Sequence, residues 1–128
     1  MQELFDKVSA MNGDYYDLRG RIVSKERRIS ALKERLEMWA QYQKYKPVRQ
    51  KLDKVAPGKR EQFEQQHSAD LALFDAARRY LDTLKASGEK ISPKAWRAEV
   101  KKLTAEKDVD YLKMRAMRED IKAVENLK

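Results

Sequence analysis

The sequence predicts an all-α fold: an antiparallel helical hairpin, or coiled coil, of two long helices with one or two short helices capping the closed end. Three observations predict it. Between Leu4 and Trp39, apolar residues recur at alternating steps of four and three (Leu4, Val8, Met11, Tyr15, Leu18, Ile22, Ile29, Leu32, Leu36, Trp39), and Lys25 is the one charged member of the series. Ala, Leu, Glu, Lys, Arg and Gln dominate a chain with only four Gly and three Pro, the composition of long helices rather than sheet. Pro57-Gly58 and Ser87-Gly88 punctuate the middle, where the chain can reverse. A stripe this narrow cannot bury itself, so it needs a second helix from this chain or from another copy.

Taken in order, the first helix is expected over residues 1–56, with Gly13 and Gly20 each weakening it by about 1 kcal/mol relative to Ala. From Trp39 the stripe gains large rings (Trp39, Tyr42, Tyr45), as though a third element packs there. Pro47 removes a backbone donor, so a bend is expected near residues 43–47. Residues 59–66 have one apolar anchor, Phe63, and predict a short helix. A further helix over 69–86 starts with Ser68 as N-cap and Asp70 in its first turn, buries Leu71, Phe74, Ala77, Tyr80, Leu81 and Leu84, and ends at Gly88. Ser92-Pro93 opens the last helix, over 92–128, with Trp96, Val100, Leu103, Tyr111, Met114, Met117, Ile121 and Val124 on its stripe. The stripe thins to Lys107 between Leu103 and Tyr111. At ~1.5 Å per residue this last helix spans roughly 55 Å and is expected to cover residues 18–55 of the first, leaving 1–17 overhanging, which implies either self-association or a longer parent protein. The whole chain, 1–128, is expected to form a single elongated helical domain.

Composition excludes several functions. With no Cys there is no disulfide or thiolate metal site, and nothing points to secretion. No run approaches the ~20 apolar residues that cross a bilayer, so a cytoplasmic protein without a membrane partner is expected. His67 is the single histidine, too little for a metal site. No phosphate-loop, dinucleotide, HExxH or GxSxG pattern occurs. The tyrosines lie on or beside apolar stripes, and acidic pairs such as Asp108/Asp110 and Glu119/Asp120 fall in surface patterns beside Lys and Arg. No catalytic residue, metal, cofactor or small-molecule substrate is therefore expected, and the chain is not read as an enzyme.

Charge points elsewhere. The net charge is +8, and residues 1–56 carry 13 Lys+Arg against 8 Asp+Glu, residues 57–90 carry 6 against 6, and residues 91–128 carry 10 against 7. An excess on long helices suits a polyanion, nucleic acid first. Two groups are the candidate binding residues: Arg19, Arg21, Lys25, Arg27 and Arg28; and Lys44, Lys46, Arg49, Lys51 and Lys54 beside Tyr42 and Tyr45.

The run ALKERLEMWAQYQKYKPVRQKLDKVAPGKREQFEQQHSADLALFDAARRYLDTL, then KISPKAW, then EVKKLTAEKDVDYLKMRAMREDIKAVENLK resembles the C-terminal helical region of mobilisation relaxases from conjugative elements of gut Firmicutes. Tyr45, Arg49, Phe63, His67, Leu71, Tyr80, Leu84, Leu103, Glu106, Lys107, Tyr111, Arg115 and Ile121 stand at corresponding places, and the similarity covers about residues 20–128. The resemblance implies DNA processing in conjugative transfer. That family's nicking domain uses a tyrosine and a histidine-bound metal, and the histidine cluster is absent here. The resemblance therefore implies an accessory module that binds DNA through nonspecific backbone contacts, or binds transfer-machinery proteins. Two other readings stand beside it: a stand-alone inhibitor or adaptor encoded on a mobile element that binds a host protein, such as a CRISPR effector nuclease with its acidic groove or bound nucleic acid, and a purely structural coiled-coil spacer.

Overall fold

A computed structural model describes residues 2–127. The chain is all-α: α1 (Gln2–Lys54), a 3-10 turn (Pro57–Lys59), α2 (Arg60–Gln66), α3 (Ser68–Ala86) and α4 (Pro93–Glu125), with no strand among the described residues. The long N-terminal helix packs against the C-terminal one, as the two stripes require. The chain divides into two compact units, residues 1–31 with 98–128 (unit 1) and residues 32–97 (unit 2).

In unit 1 the two helices run antiparallel, since partners on α4 rise in number as those on α1 fall. Arg28 forks onto Glu99, Nε to Oε1 at 2.9 Å and Nη2 to Oε2 at 3.2 Å. Glu26 accepts a hydrogen bond from the Tyr111 hydroxyl. Arg118 Nη2 donates to the Tyr15 hydroxyl at 3.1 Å. Val8, Leu18, Ile22, Ile29 and Ile121 form the buried apolar layer.

Four expectations change here. The overhang does not extend over residues 8–17, because Val8 is only 6% exposed and Tyr15 reaches Arg118 on α4, while Met1 lies outside the described residues. The last helix covers less of 32–54 than its length allows, because in unit 2 α3 packs on that stretch instead: the Tyr42 and Phe74 rings stack with centroids 5.1 Å apart, and Gln41 Nε2 donates to the Leu73 carbonyl at 2.6 Å. Asp110 is likewise no surface acid. It is 8% exposed and pairs with Lys25, which also lies 4.0 Å from Glu106. Counted from Trp96 in steps of four and three, the α4 stripe runs 96, 100, 103, 107, 110, 114, 117, 121, 124, and none of these positions is exposed, whereas Tyr111 is 40% exposed. The stripe thus passes through Asp110, and the charged break in α1 meets the thin stretch of α4.

Unit 2 buries Leu32, Leu52, Phe74, Ala77, Leu81 and Trp96. Pro47 lies inside α1 without interrupting it. α3 begins at Ser68, so the cap position falls to His67, whose side chain makes no capping bond. Ser68 is displaced because the carbonyl of His67 already accepts the first helical bond, from the Leu71 amide at 2.9 Å. The far end is built as read: Gly88 has φ +90°, its amide bonds the Lys85 carbonyl, and the Glu89 amide bonds the Leu84 carbonyl, both at 3.0 Å. Ser92 Oγ accepts from the Ala95 amide at 3.4 Å to open α4. Buried Arg35 ties this turn down, with Nη1 3.5 Å from Glu89 and its guanidinium 5.8 Å from the centre of the Trp96 ring.

Candidate functional site

Helical spacing decides where the ten basic candidates point. At ~3.6 residues per turn, Arg21 and Arg28 share one flank of the α1 stripe, Arg19 lies on the other, and Arg27 faces away. Arg19, Arg21 and Arg27 are exposed, while Lys25 and Arg28 are engaged with Asp110 and Glu99. This first group therefore makes no common surface. In the second group Lys44, Lys51 and Lys54 are exposed, Arg49 lies 3.7 Å from Asp53, and Lys46 is half-buried.

Dividing the charge by unit instead of by segment moves its centre. Unit 1 holds 14 Lys+Arg against 12 Asp+Glu, and unit 2 holds 15 against 9, so +6 of the net +8 belongs to unit 2. Unit 2 also has a groove of about 450 Å³, within the range of roughly 300–1,000 Å³ usual for ligand sites. Its walls are two helix faces with the same i, i+3, i+4, i+7 spacing: Trp39, Tyr42, Gln43 and Lys46 on α1, and Arg78, Leu81, Asp82 and Lys85 on α3. Stripe residues bury the floor, and long polar side chains emerge at the rim.

The aromatic side of the groove is ordered. Trp39 and Tyr42 stack with ring centres 5.9 Å apart and planes at 22°, and Tyr42 continues onto Phe74 at 27°. Lys46 Nζ sits 5.7 Å from the centre of the Tyr42 ring. On α3, Arg78 lies 3.7 Å from Asp75. Lys46, Arg78 and Lys85 face one acid, Asp82, along the groove. Such a place can hold a flat ring and negative charge together. Among the described residues no group of three or more His, Asp or Glu side chains is placed to hold a metal ion.

Sequence reasoning singled out Lys46 and Tyr42 but missed Trp39, Arg78 and Lys85. Arg78 and Lys85 stand seven apart on the flank of the α3 stripe, a signal that was present but had no meaning until a facing helix was known. A second hollow, about 420 Å³, beside Tyr111, Leu112 and Arg115, is lined by α4 alone and so surrounds nothing. Among the described residues no helix is long and apolar enough to cross a membrane. Set against known proteins, the chain matches no family model, and no curated protein or solved structure matches it.

Proposed function

We propose that the chain is a cytoplasmic, non-catalytic module that holds nucleic acid by its phosphate backbone, as an accessory part of the conjugative DNA-transfer proteins whose C-terminal region it resembles. One observation carries this reading: the +6 excess of unit 2, with 15 Lys+Arg against 9 Asp+Glu. A net excess of this size on a compact unit raises the local potential and draws in phosphates. Exposed Lys51 and Lys54 supply cations, as does exposed Lys44, whose Nζ also lies 5.4 Å from the centre of the Tyr45 ring.

Each Lys or Arg that neutralises a phosphate releases condensed counterions, so log affinity falls linearly with log salt. Fluorescence anisotropy with labelled DNA across a salt series tests the reading. The expected slope is steeper than about −3, corresponding to at least three or four phosphate contacts. Salt-tolerant binding to a protein partner with no DNA binding would instead favour the adaptor reading, and a defined oligomer that binds neither would favour the spacer.

A further inference from the structure

We propose that the groove between α1 and α3 in unit 2 receives an unpaired nucleotide of a single strand, its base extending the stack at Trp39 and its flanking phosphates held by Lys46, Arg78 and Lys85. The proposal rests on the nucleic-acid reading above and names the form of nucleic acid that this site takes.

The ring stack comes first. Phe74, Tyr42 and Trp39 form a run of near-parallel rings, Phe74 is buried, and Trp39 is half-exposed and lines the groove. A fourth flat ring is accepted most readily at the Trp39 end, because every base has a π-face and stacking on an aromatic side chain is tolerant of sequence. In a duplex each base is already stacked on its neighbours, so it reaches Trp39 only after unpairing. An unpaired base has no such cost, and the groove therefore discriminates by strandedness.

The charges then choose between a strand and a free nucleotide. Arg78 and Lys85 are seven residues apart on one face of α3, which at ~1.5 Å per residue separates them by roughly 10 Å. One phosphate meets both only if the two long side chains bend toward each other over Asp82, whereas two phosphates of a strand meet them extended, with a base between them directed at the rings. Asp82, between the two cations on the same face, is the one acid lining the groove, and Asp75 lies 3.7 Å from Arg78, so Lys46, Arg78 and Lys85 against these two acids leave the groove positive.

Three probes test this on the full chain: a short oligothymidylate, a hairpin duplex of equal phosphate content, and thymidine monophosphate. Trp96 is 4% exposed, so a change in tryptophan fluorescence on ligand contact reports mainly on Trp39. The oligothymidylate should quench it, the duplex should not, and the mononucleotide should bind far more weakly. Trp39→Ala should weaken oligothymidylate binding about tenfold and leave duplex binding unchanged, with Trp39→Phe restoring most of the loss. Exposed Arg78→Gln and Lys85→Gln, which do not threaten the core, should each lower the salt slope for the oligothymidylate by about one. Equal affinity for duplex and single strand, with Trp39→Ala and both Gln variants silent, overturns the groove while leaving the phosphate-backbone reading intact. Binding of the mononucleotide as tight as that of the strand overturns the strand assignment. Failure of all three probes at low salt overturns both readings.

Discussion

Lys25 reads as a defect in the stripe of α1, and the gap around Lys107 reads as a defect in that of α4. They are one feature. Asp110 occupies a stripe position, and the Lys25–Asp110 pair matches the two breaks at a single register of the antiparallel helices. A one-residue slip would leave both charges against apolar neighbours, which is how a polar pair in a seam selects alignment. Asp110→Ala should therefore cost about 3 kcal/mol by urea denaturation, whereas the double change Lys25→Met with Asp110→Leu should recover most of it. Equal loss in the single and double variants would remove the register role.

Two tyrosines add a pH dependence at the same scale. The hydrogen bond to Glu26 raises the pKa of Tyr111 above its ordinary value, with burial and the Glu26 charge adding to it. Burial does the same for Tyr80, reinforced by Glu34 and opposed by Arg35. A raised folded-state pKa means the contribution is fully present below the unfolded value, about 10, and is lost as pH rises through the higher folded one. Stability should thus decline on the alkaline side of about pH 10, and Tyr111→Phe should flatten that decline, as followed by denaturation at stepped pH.

For the elements, backbone effects dominate. Gly13 and Gly20 lie inside α1 with nothing within 4 Å of an added Cβ, so Gly13→Ala and Gly20→Ala should each stabilise by about 1 kcal/mol. Gly88 has equal space but φ +90°, and Gly88→Ala should destabilise by about 1 kcal/mol. Opposite signs at equally open sites would isolate conformation from packing. Pro47 is a stronger case: it sits exposed inside an unbroken helix, so Pro47→Ala should stabilise α1 by up to about 3 kcal/mol in thermal or urea melts. The expected site of weakness is there, but tertiary contacts from α3 at Gln41 and Tyr42 hold this part of α1 helical despite it.

Across the whole molecule, charge should be felt by unit. Reversing Lys44, Lys51 and Lys54 to Glu should weaken DNA binding more than reversing Arg19, Arg21 and Arg27, although both triples change the net charge equally. Equal losses from the two triples at matched salt would mean that net charge alone sets affinity.

The helices themselves are legible in the chain's residues alone, because four-and-three spacing, Gly88 and Ser92-Pro93 act within a few residues of where they sit. Their pairing was also legible, since each narrow stripe needs a cover. The register was not. Length allowed α4 to cover residues 18–55, and only the packing of α3 on Tyr42 and Gln41, together with Asp110 opposite Lys25, set it further along. The groove was hidden for the same reason: Trp39 and Lys46 on one helix and Arg78 and Lys85 on another are far apart in sequence, and a surface made by two helices exists only once their facing sides are chosen. Local chemistry is written residue by residue, while juxtaposition is a property of the packed chain.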